Sequence, residues 1–131
     1  VNAKQILEKN LNLACGNSII VSDDWINIDF ITESKSVVKC NILKGLPFKE
    51  CSIANIYTSH FIEHVPLNKI KFLLNDLYKV LVPGGILRIV TPDFNEICYT
   101  YLKLINQKNL DEARFVKIEL LDQLVRLKQG G

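Results

Sequence analysis

Apolar and polar positions along the chain fall into five short strand-like runs separated by turns and helices. Leu11-Asn12-Leu13-Ala14 is a brief apolar run that stops at Cys15-Gly16. Trp25 to Ile31 alternates, the period-two pattern of a strand with one buried face. Val37 to Cys40 is a third candidate and Ile53 to Thr58 a fourth. The fifth, Ile86 to Val90, is the clearest, with Gly85 before it and Pro92 soon after. Between the fourth and fifth, Ile70, Leu73, Leu74, Leu77, Tyr78 and Leu81 recur at three- and four-residue steps, which predicts an amphipathic helix. Pro83 disfavours helical geometry at Val82, and Gly84-Gly85 is expected to supply positive φ at the helix exit, Gly85 included. Downstream, Phe94 to Ile105 and Leu110 to Leu127 have helical period. The second aligns Ala113, Val116, Leu120, Leu121, Leu124 and Leu127 on one side.

Strands alternating with helices or long connections imply an α/β fold with a parallel sheet, whose ligands lie outside the carboxyl ends of the strands. Repeats, low-complexity tracts and linkers are lacking, so residues 1–131 read as a single domain.

Composition changes this picture little. Hydrophobic residues make up 48% and charged residues 23%, as in ordinary soluble domains. Sixteen basic and fourteen acidic residues leave a net charge of +2, too small for a nucleic-acid footprint. The apolar runs are too short for a membrane span, and no leader pattern opens the chain. Cys15, Cys40, Cys51 and Cys98 form no CxxC pair and read as reduced thiols, which suits the cytoplasm. The start at Val1 and the stop at Gly130-Gly131, directly after a helical pattern, read as cuts from a longer protein. Removal of an initiator methionine is the other explanation for the start.

Four places hold candidate chemistry. Gly16, at the end of the first run, lets the backbone turn sharply and lets a ligand approach it; glycines also end many strands with no ligand in view. Asp29 lies near the end of the second strand, where a carboxylate accepts hydrogen bonds from both hydroxyls of a ribose, or is simply solvated. Only 13 positions separate it from Gly16, against about 20 in the dinucleotide fingerprint, which argues against an NAD site. Asn41, past the third strand, can offer its side-chain carbonyl to an adenine amine or can serve a turn. His60-Phe61-Ile62-Glu63-His64 matches the H-x-x-E-H pattern of inverted zinc proteases. The pentad directly follows a strand and precedes Pro66, leaving little helix, so no metal is expected at His60 and His64.

Taken together and in this order, Leu11 to Asp93 resembles the class I S-adenosylmethionine-dependent methyltransferases. The matching segments are LNLACG (11–16), WINIDF (25–30), GLPF (45–48), IYTSHFIEHV (56–65) and LYKVLVPGGILRIVTPD (77–93). The resemblance implies a Rossmann-like open sheet with strand order 3-2-1-4-5 and flanking helices; of the family's seven strands only five are found, and the closing antiparallel pair is missing. It implies S-adenosylmethionine as cofactor. Ala14, Cys15 and Gly16 would pack against its methionine part, Asp29 would hold the ribose, and Asn41 with Ile42 would meet the adenine. Ser59 and His60 would lie along it and face the substrate. The chain departs from the family where Asn12 replaces an acidic residue, Ala14 and Ser18 replace glycines, and Asn41 replaces an aspartate. The link between the first two strands is also too short for a full helix, so a loop is expected there.

The implied activity is methyl transfer to a small-molecule or glycan-like acceptor, with His60 or His64 as candidate bases. One alternative is a non-catalytic Rossmann-like cofactor-binding module, and another a nucleotide-binding oxidoreductase. The methyl acceptor and the oligomeric state are not legible in the sequence.

Overall fold

The computed structural model describes residues 9–125. Five strands form one sheet: β1 (Lys9–Leu13), β2 (Trp25–Asp29), β3 (Val37–Lys39), β4 (Ile53–Ser59) and β5 (Leu81–Val90). Their spatial order is β3-β2-β1-β4-β5, and every neighbouring pair is parallel. The Rossmann-like order expected from the sequence is therefore present. Three helices accompany it: α1 (Leu67–Val80), α2 (Phe94–Asn106) and α3 (Leu110–Val125).

Period-two alternation sorts the strand residues onto two unlike faces. Leu11 and Leu13 of β1 share a face with Ile28 of β2 and Ile56 of β4, each at most 1% exposed. Helix α1 covers this face with Leu73, Leu77 and Val80, at i, i+4 and i+7. The stripe is narrower than expected, for Leu74 and Tyr78 turn outward at 38% and 82% exposure. The opposite face carries Asn10, Asn12, Asn27 and Asn55, and no helix links β1 to β2. A loop does so, as the short spacing required. Side chains hold it: the Asn12 amide donates to the Ser18 carbonyl (2.8 Å) and to Asn27 Oδ1 (2.8 Å). Asn27 pairs with both backbone groups of Ile20, at 2.9 and 2.8 Å. Asn12 and Asn27 are 3% and 5% exposed, so these bonds satisfy polar groups that burial would otherwise penalise.

Two boundaries differ from the sequence reading. The long helix ends at Val80 and β5 already begins at Leu81, so Pro83-Gly84-Gly85 lies inside the strand as a wide bulge. Pairing jumps from Ile53↔Leu81 to Asn55↔Ile86, and Asn55 Oδ1 accepts the Ile86 amide at 3.1 Å. Gly84 has φ +83° as expected; Gly85 does not have positive φ. Its lack of a side chain has another cause, since a Cβ there would stand 2.6 Å from the Ala54 carbonyl oxygen. Ala54 is itself the extra residue of a bulge against β1, where Lys9↔Ile53 is followed by Asn10↔Asn55.

Helices α2 and α3 form a hairpin whose contacts are chiefly with each other. Asp93 caps α2 by accepting the Glu96 amide at 3.1 Å. On α3, Ala113 is buried, Val116 and Leu120 are partly buried, and Leu121 is 49% exposed, contrary to its expected place on the inner stripe. The side chain of Leu124 and the whole of Leu127 lie outside the description. Among the described residues no helix is long and apolar enough to cross a membrane.

Candidate functional site

The sheet reverses its winding between β1 and β4, and that boundary is the switch point at which open α/β sheets take ligands. The chain leaves β1 through Ala14 (φ +54°), Cys15 and Gly16 (φ +51°). It leaves β4 through Ser59 and His60 (φ +52°). Left-handed backbone is uncommon for residues with a Cβ and tends to gather at functional turns. Here two such residues, Ala14 and His60, stand at the exits of adjacent strands.

Asp29 ties the β1 and β2 exits together. Its Oδ2 accepts the Gly16 amide at 2.8 Å and its Oδ1 accepts the Ile31 amide at 3.0 Å. Backbone bonds extend the lacing, from the Cys15 amide to the Ile28 carbonyl (3.1 Å) and from the Cys40 amide to the Asp29 carbonyl (2.8 Å). Three consecutive strand ends are thereby registered around one residue, Asp29, which is 7% exposed. On the other side, the His60 amide donates to the Val90 carbonyl at 2.9 Å and joins the exits of β4 and β5.

The candidate residues divide by environment. Ala14, Cys15, Gly16 and Asp29 form one hydrogen-bonded group. Ser59 and His60 lie on the neighbouring strand exit, since Thr58 pairs with Leu13. Asn41 is held as a cap: its Oδ1 accepts the Leu43 amide at 3.2 Å and starts the 3-10 turn Ile42–Lys44. That oxygen thus serves the turn as well as any ligand. The Ile42 side chain is 3% exposed and belongs to the apolar core. GLPF owes its place to a tertiary bond, with Asp76 Oδ2 of α1 accepting the Leu46 amide at 2.6 Å.

The H-x-x-E-H pentad lies on the β4 exit and the 3-10 turn Ile62–His64, with α1 starting only at Leu67. His60 Nδ1 is 3.6 Å from Glu63 Oε1, and the His60 side chain is 52% exposed. His64 is partly buried, and its amide closes the turn onto the Phe61 carbonyl at 3.0 Å. Among the described residues no three His, Cys, Asp or Glu side chains converge as a metal site.

Burial, and next the Asp29 carboxylate, pushes the Cys15 thiol above its ordinary pKa of 9.0. Cys40 is also raised, first by burial and then by Asp76. Neither thiol has the lowered pKa that makes a cysteine nucleophilic.

Two features escaped the sequence reading. The pairing of Asn12 with Asn27 was signalled only by asparagines inside apolar strands. Glu63 stood out only as part of a zinc pattern, whereas its neighbour in space is the His60 imidazole. No protein-family model matches this chain, and no curated protein matches it either.

Proposed function

We propose that the chain binds S-adenosylmethionine across the carboxyl ends of β1, β2 and β4 and supports methyl transfer to a small-molecule or glycan-like acceptor. The observation that carries this reading is the Asp29 carboxylate laced to the Gly16 turn. An ionised carboxylate has about four acceptor sites. Backbone amides use two of them, which leaves acceptor capacity for the two hydroxyls of a ribose. The fit extends to Gly16, where a Cβ would meet nothing within 4 Å, so bare backbone faces open space. A ligand's methionine part can approach the Ala14–Gly16 segment there without displacing a side chain. When bound, the cofactor supplies a methyl group already made electrophilic by its sulfonium.

The protein's task is then alignment and exclusion of water. Asp29 holds the donor's sugar, the Ala14–Gly16 turn sets its depth, and Ser59 and His60 border the acceptor side. The resemblance in LNLACG, WINIDF and LVPGGILRIVTPD favours this donor over a dinucleotide. The cysteines are free thiols, in keeping with a reducing, cytoplasmic setting. Calorimetric titration of the full-length protein with S-adenosylhomocysteine, beside NAD, tests the reading. Saturable binding of the first alone is expected. Binding of NAD alone would replace this reading with an oxidoreductase, and retained affinity without turnover would favour the non-catalytic module.

A further inference from the structure

We infer that Glu63 is a positioning residue for His60, and that His60 accepts the proton of a hydroxyl acceptor through Nε2. The inference rests on the methyl-transfer reading above. Three observations converge on His60. Its backbone has φ +52°, an uncommon conformation for a residue with a Cβ. A tertiary bond from its amide to the Val90 carbonyl, 2.9 Å, holds that conformation at the strand exit. Its imidazole is half-exposed, and of the two ring nitrogens it is Nδ1 that stands 3.6 Å from Glu63 Oε1. That separation is an ion-pair distance, longer than a hydrogen bond.

The partner of one ring nitrogen decides which nitrogen carries the proton. A carboxylate facing Nδ1 favours hydrogen there and leaves Nε2 as a bare base. A hydroxyl acceptor has most need of such a base, because a methylated oxygen that keeps its proton is a strongly acidic oxonium. In the balanced step the acceptor oxygen forms a bond to the methyl carbon while the carbon–sulfur bond breaks and its electron pair returns to sulfur. The hydroxyl proton passes to Nε2, and the resulting imidazolium is offset by the Glu63 carboxylate.

The rival reading is an ordinary surface pair three residues apart, which contributes little and does not set a tautomer. Long-range proton–nitrogen NMR of full-length protein with 15N-histidine, at a pH where the ring is neutral, separates the two. The expected result is Nδ1–H with bare Nε2 at His60, a shift towards Nε2–H in Glu63→Ala, and restoration of Nδ1–H in Glu63→Gln, whose amide oxygen can still accept. Nε2–H in the wild type overturns the inference, and so does an unchanged tautomer in Glu63→Ala. Should that variant fail to fold, the wild-type tautomer decides alone. Titrating the same wild-type sample with S-adenosylhomocysteine keeps the two ideas apart. Failure to bind removes the methyl-transfer reading and the hydroxyl step with it, while the measured tautomer still reports on the Glu63–His60 pairing.

Discussion

At the scale of single residues, Asp29 has a structural duty as well as the proposed ligand duty. If Asp29 anchors the sugar as proposed, Asp29→Ala should cost about 1.5–3 kcal/mol in S-adenosylhomocysteine binding. It also strands the Gly16 and Ile31 amides, so a drop in melting temperature is expected alongside. Asp29→Asn keeps one carbonyl oxygen and should fall between wild type and alanine in both measurements. Unchanged affinity in Asp29→Ala, measured by calorimetry, would remove Asp29 as the sugar anchor. Thiol reactivity gives a second expectation. Alkylation requires thiolate, and burial holds Cys15 in the protonated form beyond its ordinary value of 9.0, whereas Cys51 is exposed. At pH 8 Cys51 should be modified well before Cys15, and peptide mass analysis over a time course reads the order. As pH rises past 9.0 an unfolded thiol ionises before the folded one, so the Cys15 contribution to stability is lost on the alkaline side. Cys15→Ala should lose less stability between pH 8 and 10 than the wild type does.

At the scale of elements, the Pro83-Gly84-Gly85 bulge distinguishes two reasons for a glycine. Gly84 has positive φ with open space around it, so alanine there meets only backbone strain. That strain is about 1–2 kcal/mol, partly offset by a less flexible unfolded chain. Alanine at Gly85 meets the Ala54 carbonyl at 2.6 Å, and a bulged strand cannot yield as a flexible side chain does. Overpacking of this kind costs about 1–3 kcal/mol. Denaturant titrations should therefore show Gly85→Ala to be the more damaging; equal or reversed losses would discredit the contact. The sequence could show that glycines were needed at this point, because Pro83 stops helices by a local rule. It could not show which glycine served which end, because Ala54 lies in another strand. The same division runs through the site. Gly16 and Asp29 were legible from position along their strands, and the strand order followed from the motif series. The turn role of Asn41 was one of its two readings, and the cap on Leu43 is that role; the Asn12–Asn27 clasp depends on tertiary geometry that residue spacing does not encode. Asp93, read as part of a motif, also caps α2, so local structure alone accounts for its presence.

At the scale of the whole molecule, stability should be uneven. Strands β1 and β4 are central, each bonded on both sides, and they carry Leu11, Leu13, Ile53 and Ile56, none more than 1% exposed. Helix α1 seals that face with Leu73 and Leu77, also 1% exposed. The α2–α3 hairpin differs in kind. No residue of α2 is buried, and Phe94, Tyr99, Leu102, Phe115 and Ile118 are each more than half exposed. Its contacts run mainly within the pair, so it can open without disturbing the sheet. Regions with few buried apolar contacts open at lower free energy than the core and exchange amide hydrogens sooner. In residues 1–131, hydrogen exchange read by mass spectrometry should show peptides of α2 and α3 exchanging together and early. Peptides from β1, β4 and α1 should exchange last, at the rate set by global unfolding. The loop between β1 and β2 tests the buried asparagines within the same data. Ser18 and Ile20 are held by Asn12 and Asn27, so that loop should be slower than its 3-10 or turn-like neighbours of equal exposure. Replacing Asn27 with leucine removes both Ile20 bonds and one acceptor of Asn12. Exchange in residues 17–24 should then quicken while α2 and α3 stay as they were. A uniform acceleration across the chain would show instead that the asparagine clasp and the sheet stand or fall as one unit.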